Sequence, residues 1–169
     1  MHKFLLLYSW FIFLILSWLP DQPVVMRFRG WLLSFGMESS GTNFQVSSTA
    51  IIRGLQNLTV GSNVYIAPGV VINAIDRIVL SEEVMIGFNS VLVSGNHTVI
   101  NGSFRFGPSK KQPIKIGPGV WIAANCTVTA GSIIGEGTIV AGNSLVKNNL
   151  EKSSIYAGVP ARKVKDLNA

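Results

Sequence analysis

Aliphatic residues recur along this chain at a fixed interval of six. They fall at Val60, Ile66 and Ile72, then at Leu80, Ile86 and Leu92, and last at Ile116, Ile122, Val128, Ile134, Val140 and Val146. Val46 and Ile52 extend the series upstream. A period of six is neither the alternation of a half-buried strand nor the 3.6 of a helix. A repeat of this kind marks a solenoid. Gly or Ala often follows the aliphatic residue, as at Gly61, Ala67, Gly87, Gly117, Ala123, Gly135 and Ala141. Four places after it stand small or β-branched residues, such as Val64, Ser90, Val120, Cys126, Thr138 and Ser144. Each hexapeptide therefore reads as a short strand and a tight corner, with the aliphatic side chain pointing inward. Three hexapeptides make a coil of 18 residues, and stacked coils satisfy each other's backbone groups through parallel ladders. The expected fold is an all-β parallel β-helix over residues 41–150, with a C-terminal tail over 151–169.

The repeat is interrupted twice. Ile72 and Leu80 are eight residues apart, which predicts a two-residue bulge near Asp76. Leu92 and Ile116 are twenty-four apart, so residues 93–113 must leave the prism as a loop. Where every other corner is minimal, a long loop is the place to look for function.

Residues 1–40 have a different character and read as a hydrophobic, helical segment. Phe4 to Leu19 carries no charge. As a helix it would rise about 24 Å, short of the roughly 30 Å hydrocarbon layer of a bilayer. Tyr8, Trp10 and Trp18 suit a membrane interface. Val24 to Phe35 reads as an amphipathic surface helix interrupted at Gly30, with Arg27 and Arg29 placed to meet anionic headgroups. The segment is expected to touch a membrane surface as a monotopic hairpin. The competing reading is that it caps the open end of the β-helix.

Composition narrows the partners. The formal charge of +6 favours an anionic one: a phosphorylated cofactor, an acidic glycan or an anionic bilayer. Nucleic acid is not expected, because Lys110-Lys111 and the Arg162–Lys165 stretch belong to no binding motif. The single Cys126 leaves no internal disulfide. Two histidines, His2 and His97, are too few for a three-histidine zinc site, so no metal is expected. His97 is the one imidazole outside the hydrophobic segment, and it lies in the long loop. Imidazole, with a pKa near 6.5, suits removal of a proton from a hydroxyl nucleophile at neutral pH.

Three stretches carry a family resemblance: Ser94-Gly95-Asn96-His97, the run Ile116-Gly117-Pro118-Gly119-Val120-Trp121-Ile122, and the tail from Ser154 to Val164. Over residues 45–166 the chain resembles hexapeptide-repeat O-acetyltransferases, above all those that modify bacterial exopolysaccharide, capsule or lipopolysaccharide. The resemblance implies a left-handed β-helix and acetyl transfer from acetyl-CoA to an acceptor hydroxyl in a ternary complex, with His97 as general base. It implies small corner residues at Ala124 and Gly142 along the pantetheine thread. Lys147-Asn148 stand where relatives often have Thr-Lys, and Arg162 stands where relatives have a basic residue near the adenosine 3′-phosphate. Asn96, Trp121 and Asn73 are the expected substrate-groove residues. A cofactor groove between prisms implies a homotrimer, in the cytoplasm or peripheral on the inner face of the cytoplasmic membrane. One departure bears on the acceptor. Ala67 occupies the position where maltose- and galactoside-type enzymes carry an acceptor-binding Asn, which argues against free mono- or disaccharides. Transfer to an amine of an aminosugar or antibiotic, and a non-catalytic β-helix scaffold, are the alternative readings.

Overall fold

The computed structural model describes residues 2–167, and in it the six-residue series closes into a parallel β-solenoid. The first face stacks Ser39–Ser40, Leu58–Val60, Ile78–Leu80, Ile114–Ile116 and Ile133–Ile134. The second stacks Gln45–Val46, Tyr65–Ile66, Met85–Ile86, Trp121–Ile122, Ile139–Val140 and Ser154–Ala157. The third stacks Ile51–Arg53, Val71–Asn73, Val91–Val93, Thr127–Thr129 and Leu145–Val146. Within each face the neighbours are parallel; Arg162–Asp166 alone turns back to lie antiparallel on Ser154–Ala157. The solenoid thus begins at Ser39, two residues before the boundary expected from the repeat.

Every aliphatic residue of the series, from Val46 to Val146, is buried. The small residues four places on form a second inward layer, in which Val64, Ser90, Cys126 and Thr138 are fully enclosed. The corners explain the abundance of asparagine. Asn63, Asn89, Asn125 and Asn143 have φ of 60, 57, 59 and 59°, a left-handed conformation that Asn adopts more readily than most residues.

The coils are not uniform, which corrects the expected 18. Ile116 pairs with Ile134, a spacing of 18 residues, but Val60 pairs with Leu80, a spacing of 20. The two extra residues sit where the third face turns to the first. There Leu55–Asn57 forms a 3-10 turn, entered through Gly54 at φ 80°. A Cβ on Gly54 would lie 2.2 Å from the Ala74 carbonyl oxygen, so glycine is required for this close approach. One coil on, the bulge at Ile75-Asp76 is tied down by Ser94, whose Oγ accepts from the Asp76 N–H at 2.9 Å and donates to the Asp76 carbonyl at 2.8 Å. The long excursion leaves from this same edge. Val93 stays in the third face, opposite Asn73 and Thr129, so the loop is shorter than 93–113.

Helices α1 (His2–Leu16) and α2 (Pro23–Ser34) cover the open end of the first coil. Ile12, Leu16, Met26 and Leu33 face inward, while Phe4, Leu7, Trp10, Phe11, Trp18, Phe28 and Trp31 remain exposed. Two expectations for this segment are corrected. Gly30 does not interrupt α2; it lets the helix approach the Phe44 carbonyl, from which a Cβ would be 2.0 Å. Arg29 does not point outward. It is fully buried, and its guanidinium donates to the Val46 carbonyl, to the Leu16 carbonyl at 3.2 Å and to Asp21 at 3.1 Å. Asp21 also accepts from the Ser47 hydroxyl and the Ser48 N–H. These bonds hold α1, α2 and the first coil together. Among the described residues, no helix is long and apolar enough to cross a membrane.

Candidate active site

The long excursion is a β-hairpin. Gly95–His97 runs antiparallel to Ser109–Lys111, with Gly95 opposite Lys111, Asn96 opposite Lys110 and His97 opposite Ser109. Its base is fixed by the fully buried Ser94, and the Ser94 N–H donates to the Asn73 carbonyl. Gly95 then rests on Ile75, whose Cδ1 lies 2.8 Å from where a Cβ would be. In a two-stranded ribbon, residues directly opposite share a face and alternate residues along a strand return to it. His97, Ser109 and Lys111 therefore occupy the face on which Gly95 meets Ile75. His97 stands about 7 Å along the ribbon from the Gly95–Lys111 pair, at the usual strand rise. Asn96 and Lys110 project from the opposite face, so Asn96 does not accompany His97. Both His97 and Asn96 are exposed.

Beneath the hairpin lies a cavity of 780 Å³, between α1 and the third face of the first coils. Asn73, at the end of its strand, is one of the lining residues. Arg53 and Lys111 line it too, and sequence reasoning missed both. Arg53 ends the strand before Asn73 in the third-face stack, so its strand position was a readable signal. Lys111 is brought opposite Gly95, on the face of His97, only by the hairpin register, and no periodicity marks that register.

The residues expected along the cofactor lie elsewhere. Ala124 and Gly142 stack at the corner between the second and third faces, where the Asn143 N–H donates to the Ala124 carbonyl at 3.0 Å. Among the described residues, the N–H groups of Ala124 and Gly142 have no acceptor. This corner therefore offers two unpaired donors beside small side chains. Cys126 is enclosed just behind it; burial pushes its thiol pKa up, which disfavours the reactive thiolate. Trp121, half-exposed, lies in the second face between Met85 and Ile139. Arg162 is exposed and pairs with Ala157 at the edge of that face. Lys147 and Asn148 are exposed where the third face turns to the first, in the coil that follows Thr127–Thr129. Within one chain, then, Asn73 and His97 share one edge, Ala124 and Gly142 the next, and Trp121 and Arg162 the face beyond. One copy does not bring them together. Among the described residues, no three His, Cys, Asp or Glu side chains form a metal-binding group.

Residues 113–148 match the family model described as bacterial transferase hexapeptide (six repeats). The chain is 27% identical over 161 residues to the Escherichia coli K12 protein described as lipopolysaccharide biosynthesis O-acetyl transferase WbbJ, covering 85% of this chain and 79% of that one. A galactoside acetyltransferase in complex with coenzyme A superposes with a TM-score of 0.86 at 22% identity, over 98% of this chain and 82% of that one. A hexapeptide-repeat-containing acetyltransferase from Vibrio cholerae O1 biovar eltor, complexed with acetyl coenzyme A, gives a TM-score of 0.82 at 22% identity, over 99% and 89%. The solenoid matches the left-handed β-helix of acetyltransferases, and the resemblance read from the repeat motifs holds.

Proposed function

We propose that these repeats build an acetyl-CoA-dependent O-acetyltransferase acting on a bacterial surface polysaccharide or its lipid-linked precursor. The observation that carries this reading is the placing of His97. The one imidazole outside the N-terminal segment stands on the one long excursion from the prism, on the hairpin face that looks toward the cavity. The acetyl-CoA- and CoA-bound neighbours and the O-acetyltransferase names of relatives support the donor and the reaction class. The Ala67 departure turns the acceptor away from free small sugars.

In this mechanism the acceptor hydroxyl oxygen attacks the thioester carbonyl carbon as His97 takes its proton. The C–S bond then breaks, the acetyl group stays on the acceptor oxygen, and the imidazolium returns the proton to the departing sulfur. The donor lies along the corner of Ala124 and Gly142, where the two free N–H groups meet the amide oxygens of pantetheine. Arg162, Lys147 and Asn148 receive the phosphate end, and Trp121 borders the groove. Because these residues stand on different edges of one prism, the active unit is a homotrimer in which neighbouring copies complete each site. Mass measurement should give about three times the 18.3 kDa chain; a fully active monomer contradicts this assembly. The exposed apolar surface of α1 and α2 seats the trimer on the inner face of the cytoplasmic membrane, with Arg27 toward anionic headgroups.

The test is release of free thiol from acetyl-CoA with a panel of polysaccharide fragments and lipid-linked glycans. Acceptor-dependent release with O-acetylated product is expected, whereas a product acetylated on nitrogen would overturn the hydroxyl assignment. Gly142→Val probes the donor corner. Its Cβ would lie 3.3 Å from the Ala124 carbonyl, and the added methyls would stand in the thread. The KM for acetyl-CoA is expected to rise about tenfold, equivalent to about 1.4 kcal/mol of binding. An unchanged KM removes this corner from the donor site.

A further inference from the structure

The cavity beside α1 combines two kinds of lining. Leu6, Trp10 and Phe13 of α1, with Ile75 from the bulge, make it apolar. Arg53 and Lys111 supply charge; both are exposed, no Asp or Glu lines the space, and among the described residues neither cation enters an ion pair. Its 780 Å³ falls within the about 300–1,000 Å³ usual for small-molecule sites. Trp10 lines it and is also 57% exposed, so the trough opens onto the apolar outer surface of α1. At the other end the cavity runs under the hairpin, where Gly95 rests on Ile75 and pairs with Lys111. His97 follows on the same face, about 7 Å further on. From α1 to the hairpin, the surface passes from hydrocarbon-like to cationic to the candidate base.

We infer that this cavity binds the acceptor as an amphiphile: a sugar joined through phosphate to a hydrocarbon chain. The chain lies against Leu6, Trp10 and Phe13, the phosphate meets Arg53 and Lys111, and a sugar hydroxyl comes to His97. The catalytic part rests on the acetyltransferase reading above; the binding part does not. Charge-assisted bonds to phosphate are the strong kind, and an apolar trough without them would not distinguish a phosphate from an alcohol.

The experiment uses the full chain and dodecyl phosphate below its micelle concentration, followed by titration calorimetry. Saturable binding of one molecule per chain is expected. Arg53→Ala and Lys111→Ala should each weaken it at least about tenfold, and dodecanol and inorganic phosphate should each bind at least about tenfold more weakly. Both residues are exposed, so folding should survive, as circular dichroism checks. A brominated tail should quench tryptophan fluorescence in the unmodified chain and lose most of that quenching in Trp10→Phe. Equal affinity for dodecanol and dodecyl phosphate overturns the site, as does unchanged affinity in both alanine variants. Thiol release separates this inference from the reading it rests on. If dodecyl phosphate binds but no acceptor drives thiol release, acyl transfer fails and the amphiphile site stands. If soluble oligosaccharides drive release and saturating dodecyl phosphate does not inhibit it, the site fails and acyl transfer stands.

Discussion

His97→Ala is expected to lower acceptor-dependent turnover by about 10²- to 10⁴-fold, or about 2.7–5.5 kcal/mol of transition-state stabilisation. The size follows from the chemistry: an unassisted hydroxyl is a weak nucleophile, and removing the base leaves only positioning and electrostatic stabilisation. The structure makes the comparison clean. The His97 side chain is exposed, and its strand is held by backbone pairing to Ser109–Lys111, which alanine preserves. Thermal stability and assembly should therefore be those of the parent. Turnover within threefold of the parent at saturating acceptor would remove His97 from the mechanism.

Arg29→Ala should destabilise the protein by about 1–3 kcal/mol, the usual cost of leaving a buried acceptor unpaired, while the exposed Asp21 stays hydrated. The substitution takes the guanidinium from the Val46 carbonyl, leaves the Leu16 carbonyl with only the Leu19 N–H, takes a cation from Asp21 and opens a void where three elements meet. Arg29→Met, which refills the volume, should recover part of the loss. A melting temperature for Arg29→Ala within a degree or two of the parent would show that the cap does not hold the first coil. The same pair makes the cap sensitive to acid. Burial raises the Asp21 pKa, but the Ser47 hydroxyl, the Ser48 N–H and Arg29 together hold it below the usual carboxylate value. A carboxyl depressed in the folded state contributes its full stability above the unfolded pKa and loses it as pH falls through the folded one. Protection of the α2 amides, taken relative to their intrinsic exchange rate at each pH, should therefore fall on acidification below about pH 4. Protection unchanged down to about pH 2 contradicts this.

The core of the prism could be read from sequence because its inward positions answer to one requirement, hydrophobic fill at a fixed step. The series from Val46 to Val146 met it without exception. The 20-residue coils were half legible. Ile72 to Leu80 reveals one enlarged corner, and the identical gap from Ile52 to Val60 carries the same signal at the end of a less complete run. The cap was misread at Arg29 and Gly30 because the groups that define them, the carbonyls of Val46 and Phe44, lie in another element. Local sequence shows an arginine among apolar residues as a surface charge and a mid-helix glycine as a break. His97 stands out by its solitude, but Lys111, on the same hairpin face opposite Gly95, does not. A 14-residue separation becomes a neighbour only through the hairpin register.

The changes of coil length in this solenoid fall on one edge. The 3-10 turn, the Ile75-Asp76 bulge and the hairpin follow one another up the same corner, while the other two corners keep minimal length. The hairpin coil spans 36 residues from Leu92 to Val128, twice the later coil length of 18, and the stack resumes in phase. Length can therefore change at this edge without shifting any inward residue. For engineering, the edge is an insertion cassette: hairpins of other lengths and chemistries can be exchanged between Ser94 and Pro113, while the rest of the ladder stays in register.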